Sequence, residues 1–170
     1  MVLMMAMTVC AAFVACGDDD DNVADGVDSR IVGIWHSVGE ELWEYKDDVL
    51  VTHWADLDEN TQRDYEVENG VETGEYRDNP RHEEWWGELT VNADGTLSTF
   101  DSYGESEHAT YKCADGVMTL TEDGSVVRLA SYELKDGELL ITTDNRNRKD
   151  DEGYSYLGIT RYAKGAYPRK

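Results

Sequence analysis

The stretch WWGELTVNADGTLSTF (residues 85–100), with YKCADGVMTLTEDGSVVRLASYELKDGELLI (111–141) after it, decides how this chain folds. It sets Asp-Gly pairs at Asp94-Gly95, Asp115-Gly116, Asp123-Gly124 and Asp136-Gly137 between short runs of alternating apolar and polar residues. Asp-Gly between such runs is the strongest local hairpin signal, because tight turns need left-handed backbone that glycine and aspartate adopt at little cost. Each turn must also bring the apolar residues of its two strands onto one face of the pleat, and that requirement selects the loop length. At Ala93-Asp94-Gly95 only a three-residue loop does so. It sets Val91 against Leu97 and Leu89 against Thr99, with Gly95 in the left-handed position of a G1 bulge, and carried further it sets Trp85 against Tyr103. At Asp115-Gly116 a two-residue loop sets Cys113 and Tyr111 against Met118 and Leu120. At Asp123-Gly124 a two-residue loop sets Met118 and Leu120 against Leu129 and Val127. Asp136-Gly137 pairs Leu134 with Leu139 and Tyr132 with Ile141, which is out of phase with Val127 and Leu129 and predicts a bulge near Ala130-Ser131. The expected inward residues are Leu89, Val91, Leu97, Met118, Leu120, Val127 and Leu129.

At 170 residues and 40% hydrophobic content the chain can bury one real core and is too short for two comfortable ones. Its 15 Lys and Arg against 37 Asp and Glu give a formal charge of −22, which argues against a nucleic-acid partner and is first of all the mark of a well-solvated surface.

Met1 to Ala15 (MVLMMAMTVCAAFVA) is an uncharged apolar run ending in small residues, of the length of a signal-peptide core and too short to span a bilayer as a helix. Phe13-Val14-Ala15-Cys16 resembles the lipobox of bacterial lipoproteins, in which the signal is cut before a cysteine that becomes the lipidated N-terminus, here Cys16. The aspartates that follow, Asp18, Asp19, Asp20 and Asp21, resemble the acidic tags that direct some Gram-negative lipoproteins to the outer face of the outer membrane. The chain departs from the lipoprotein pattern in having no Lys or Arg before Arg30. Residues 16–30, rich in aspartate and without apolar periodicity, are expected to be a flexible tether, with the folded domain spanning 31–170. If Cys10 leaves with the signal and Cys16 carries lipid, Cys113 is the one thiol left, so no intramolecular disulfide is expected, and its apolar alternation makes it a small core residue.

Ile31 to Val38 reads as a first strand and carries Gly33-x-Trp35. Further strands are expected at about 85–91, 96–101, 108–113, 117–121, 125–134, 138–143 and 154–162, which with the first makes about the eight that close a small barrel. A Gly-x-Trp on the first strand, a hairpin meander and an arginine on the last strand, Arg161, resemble the lipocalin and wider calycin pattern. With the signal, Cys16 and the acidic tether they resemble the lipocalin-like lipoproteins of Gram-negative bacteria. The resemblance implies an all-β fold, an antiparallel eight-stranded up-and-down barrel, closed or half-open, in which Trp35 and Arg161 pack together at the closed end. It also implies a monomer displayed on the outer membrane and a small ligand held at the barrel mouth.

Residues 40–84 lie between the first and second barrel strands, where that family keeps its largest loop, and are expected to act as an insert or lid. A hairpin between 42–45 and 49–54 across Lys46-Asp47-Asp48 is expected, for which more than one register fits, and Glu68-Asn69-Gly70 is expected to form a three-residue loop. Aromatic residues crowd the insert and its boundary: Trp43, Tyr45, Trp54, Tyr65, Tyr76, Trp85 and Trp86. They serve either to pack the insert on the barrel rim or, with Tyr103, to line a binding mouth whose polar surroundings suit a sugar or a protein surface as well as a fatty acid.

Catalytic and metal chemistry find no footing. Asp56, Asp58 and Asn60 alternate oxygens like a calcium loop, but Thr61 and Val67 stand where that loop needs glycine and glutamate. Asp150-Asp151-Glu152 reads as a solvated turn. His36, His53, His82 and His108 lack zinc-ligand spacing, and no nucleophile elbow, phosphate loop or dinucleotide fingerprint is present. No cofactor and no enzymatic activity are expected. Two functions stay open: a binder of a small, partly apolar ligand, or a sealed barrel acting as a protein-interaction module, such as a subunit or inhibitor of a cell-envelope system.

Overall fold

The computed structural model describes residues 24–80, 87–101 and 103–168. Cys16, Asp18, Asp19, Asp20, Asp21, Trp85 and Trp86 therefore lie outside the described residues. The fold is all-β, with a closed antiparallel eight-stranded barrel and three additional strands.

The barrel is built from β1 (Gly33–Lys46), β5 (Gly87–Val91), β6 (Thr96–Asp101), β7 (Ser106–Ala114), β8 (Val117–Glu122), β9 (Ser125–Lys135), β10 (Glu138–Asp144) and β11 (Tyr154–Lys164). It runs up and down in chain order and closes where β11 pairs with β1. The turn chemistry is as the Asp-Gly pairs require. Val91 faces Leu97 and Leu89 faces Thr99, with Gly95 at φ +84°. Cys113 faces Met118 and Tyr111 faces Leu120 across Asp115-Gly116, both at positive φ. Leu139 faces Leu134 and Ile141 faces Tyr132.

One register differs. The Asp123-Gly124 loop has two residues, pairing Glu122 with Ser125, but a bulge follows at once. Beyond it Leu120 faces Arg128 and Met118 faces Ala130. The bulge expected at Ala130-Ser131 thus sits at Val127, and Val127 and Leu129 are 39% and 54% exposed rather than inward. Volume explains the shift. The same interior layer already holds Trp35, Tyr111 and Met118, each almost fully buried, so the small side chain of Ala130 fits opposite Met118 where leucine would overpack. Leu129→Ser is accordingly expected to change stability by no more than about 0.5 kcal/mol in urea denaturation, whereas an inward Leu129 would cost several times that.

The core fills one end of the barrel: Ile31, Trp35, Leu89, Val91, Leu97, Tyr111, Met118 and Leu139, with Val27, Cys113, Leu120, Tyr132, Leu134, Ile141 and Tyr162 packed against them. The N-terminal segment plugs this end. The Ala24 N–H donates to the Ala93 carbonyl at 2.8 Å, and the Cys113 N–H donates to the Gly26 carbonyl. Asp28 caps a single 3-10 turn, Ser29–Ile31, and accepts a 2.9 Å hydrogen bond from the Tyr132 hydroxyl. The fold therefore begins by Ala24 rather than at Ile31, and residues 24–30, expected to be tether, are docked. Val27 and Ile31 supply apolar anchors, and Asp28 acts as a cap rather than as one more solvated charge. Arg30, bonded to Asp28 through both carboxylate oxygens, is the main reason its carboxyl is held below the usual carboxylate range.

The end of the barrel also corrects one expected pair. Trp35 donates its indole N–H to the Ile31 carbonyl at 2.7 Å, and the cation over its ring is Lys164, with Nζ 5.5 Å from the centroid. Lys164 holds this place because it is the direct cross-strand partner of Trp35, while Arg161 stands opposite Gly39.

Candidate functional site

The insert is a continuation of the wall. β1 is long enough to serve two neighbours on one side: Gly33 to His36 pair with β5, and Glu41 to Lys46 pair with β2 (Val49–Asp56). β3 (Thr61–Glu68) and β4 (Val71–Pro80) follow as a meander, joined by a two-residue Asn69-Gly70 turn that pairs Glu68 with Val71. The three-residue Glu68-Asn69-Gly70 loop expected there is thus replaced by a tight turn. A register shift then pairs Tyr65 with Tyr76. Asp47-Asp48 likewise makes a two-residue turn, both residues at positive φ.

A bulge in β1 decides which way the insert faces. Ser37 pairs with Tyr162 and Gly39 with Arg161, so Val38 is the extra residue. Below it, Trp35 and Ser37 point into the barrel; above it, Glu40 and Leu42 take the inner phase and Gly39, Glu41 and Trp43 the outer one. The aromatics expected at the mouth divide accordingly. Trp43, His53, Tyr65 and Tyr76 form a cross-strand row over β1 to β4 on the outer face. Trp54, the partner of Leu42, lies on the inner side. Tyr103 is 68% exposed beside the β6–β7 turn.

His53 is the centre of this row. It is 4% exposed, with its ring stacked between Trp43 (centroids 4.5 Å apart) and Tyr65 (4.0 Å). Its Nε2 lies 3.0 Å from Glu41 Oε1. Its Nδ1 lies 3.0 Å from Glu72 Oε1, an ion-pair distance without hydrogen-bond alignment. One imidazole thereby joins side chains of all four strands of the outer sheet. Further out, Arg63 stacks on Tyr76 at 3.8 Å and bonds Asp78 through both carboxylate oxygens, and that partner is what lowers the Asp78 carboxyl.

Two concavities flank this wall. Inside the open half of the barrel is a space of about 270 Å³, lined by Leu97, Ala109 and Leu120 with Thr99, Glu107 and Arg128 among its polar groups. Tyr162 lies on the inner side, its phenol pushed up to about 12 by burial and by the negative charge of Glu40. On the outside, at the root of the insert, a cleft of about 320 Å³ is bounded by Glu41, Ala55, Leu57, Tyr65, Ile159 and Arg161. Sequence reasoning missed His53 and Arg128. Nothing in local spacing singles out His53, and Arg128 turns inward only through the Val127 bulge.

Asp56 ends β2, and residues 57–60 connect it to β3, closed by the Leu57 N–H donating to the Thr61 carbonyl at 2.9 Å, with Asp58 accepting the Asn60 N–H at 2.8 Å. Among the described residues no cluster of three or more His, Cys, Asp or Glu is arranged to hold a metal ion. Cys113 is half-buried in the barrel wall, its thiol pushed up by burial. Comparison with known proteins gives no matching family model, no matching curated protein and no matching solved structure.

Proposed function

We propose that this protein is a non-enzymatic, lipid-anchored binding protein of the Gram-negative cell surface that takes a compact, partly apolar ligand into the open half of its barrel. The observation that carries the reading is the interior space of about 270 Å³ above the packed core, with Leu97, Ala109 and Leu120 as an apolar floor and Arg128 and Glu107 as polar partners. That volume is just below the range of ordinary ligand pockets. It suits a short-chain or single-ring molecule with one polar head, and an extended fatty acid would not fit. The test is calorimetric titration of the full chain with short-chain fatty acids, bile acids and oligosaccharides. Saturable binding of a short-chain acid, weakened about tenfold (about 1.4 kcal/mol) by Arg128→Ala and abolished by filling the space with Ala109→Phe, is the expected result. Binding by none of them would turn the reading to a protein-interaction module of the envelope. The observation favouring that second reading is the exposed apolar set Val117, Val126 and Leu129 on the outer face of β8 and β9.

The address rests on the lipobox-like Phe13 to Cys16 and the aspartates after it. Cys16→Ser is expected to move the protein from the membrane fraction to the soluble fraction, since stable anchoring depends on several acyl chains at that residue. Retention in the membrane would refute the anchor.

A further inference from the structure

We infer that the outward cleft at the root of the insert is a second binding site, for a free α-amino acid with an apolar side chain. Four charged residues line it among those described: Glu40 and Asp56 take the inner phase of their strands, while Glu41 and Arg161 lie on the outer face and are both held in place. Arg161 lies across the backbone of β1 at Gly39, and its Nη2 donates to the Asp56 carbonyl at 3.0 Å. Gly39 is the residue that permits this pose: a Cβ there would collide with Nη2 and stand 3.2 Å from Cζ. Among the described residues that backbone bond occupies Nη2, and the guanidinium fork carries further donors toward the cleft that Arg161 lines. Glu41 follows two residues along β1 on the same face, about 7 Å away. Its Oε1 is oriented by His53 Nε2 at 3.0 Å, and its side chain remains 36% exposed.

A guanidinium and a carboxylate fixed side by side, with Ala55, Leu57, Tyr65 and Ile159 as walls, match one ligand chemistry better than others. A carboxylate alone would pair Arg161 and leave Glu41 desolvated beside an apolar group; an amine alone would do the reverse. A zwitterion satisfies both, and its side chain takes the apolar wall. The cleft volume of about 320 Å³ is at the small end for ligand sites and suits a single amino acid. The site owes nothing to the barrel interior, since the Val38 bulge turns these residues to the opposite face of the wall.

The experiment titrates the full chain with L-leucine, L-leucinamide and N-acetyl-L-leucine by calorimetry and maps amide shifts by NMR. L-leucine should bind, both blocked forms should bind about tenfold more weakly or less (about 1.4 kcal/mol), and the shifts should centre on Glu41, Ala55, Tyr65 and Ile159. Gly39→Ala should weaken L-leucine about tenfold as the guanidinium is displaced, with the circular dichroism spectrum retained; Arg161→Gln should do the same. Equal binding of the blocked forms, shifts centred on Leu97, Ala109 and Leu120, full binding by a folded Gly39→Ala variant, or no saturation by any probe would each overturn the inference. Shifts at Leu97, Ala109 and Leu120 would place L-leucine inside the barrel; the other outcomes leave ligand uptake there untouched, since it has its own probes and variants.

Discussion

Trp35→Ala is expected to destabilise the protein by about 3–5 kcal/mol, the range for removing a large aromatic from a packed core. Trp35 is 2% exposed and lies at the junction of three structural levels. Its ring fills the closed end of the barrel, its indole N–H fixes the Ile31 carbonyl and so the docked N-terminal segment, and Lys164 covers it from the last strand. Truncation would open a cavity among Leu89, Met118 and Leu139, leave a backbone carbonyl without its donor, and loosen the plug formed by Val27 and Ile31. Chemical denaturation followed by far-UV circular dichroism measures the loss. A cost below about 1.5 kcal/mol would mean that the plug and the core do not depend on one another.

The barrel was legible because its information is local. Gly95, Gly116 and Gly137 each allow a turn that fixes a register, and the apolar alternation on either side admits one loop length. Bulges are the opposite case. The extra residues at Val38 and Val127 have no distinctive side chain, yet each one reverses inside and outside for everything beyond it. The Val127 bulge placed Leu129 on the outer face and Arg128, still exposed, on the inner one; the Val38 bulge turned Trp43 and Tyr65 from an expected mouth to an outer face. The plug was hidden for a different reason. Asp28 reads as one more charge in an acidic run, and only the Tyr132 hydroxyl and the Arg30 guanidinium, the first of them distant in sequence, make it structural. Aromatic crowding in residues 40–84 did point to the part of the chain where the stacked row of Trp43, His53 and Tyr65 is built. It did not reveal that a histidine would organise it, because the partners of His53 come from three other strands.

His53→Ala is expected to release the insert while sparing the barrel. The substitution empties the space between Trp43 and Tyr65 and leaves the Glu41 and Glu72 carboxylates, now without their shared partner, on the same face. Stacking on two rings and contacts to two carboxylates together stabilise the insert by on the order of 2–4 kcal/mol. Cooperative loss should be confined to β2, β3 and β4, because these strands join the molecule through β1, whereas the barrel closes through β11 and β1 without them. Hydrogen exchange separates the two levels. Amides of β3 and β4 should lose most of their protection, and those of β6 to β10 should keep theirs. His53→Phe, which preserves the stack and removes both carboxylate contacts, should fall between wild type and alanine. Uniform loss of protection across the whole sheet would show the insert and barrel to be one cooperative unit, and unchanged exchange in β3 and β4 would remove His53 from its central role. In the second case the proposed amino-acid cleft would need another account of how Glu41 is held, since His53 Nε2 is the group bonded to its carboxylate.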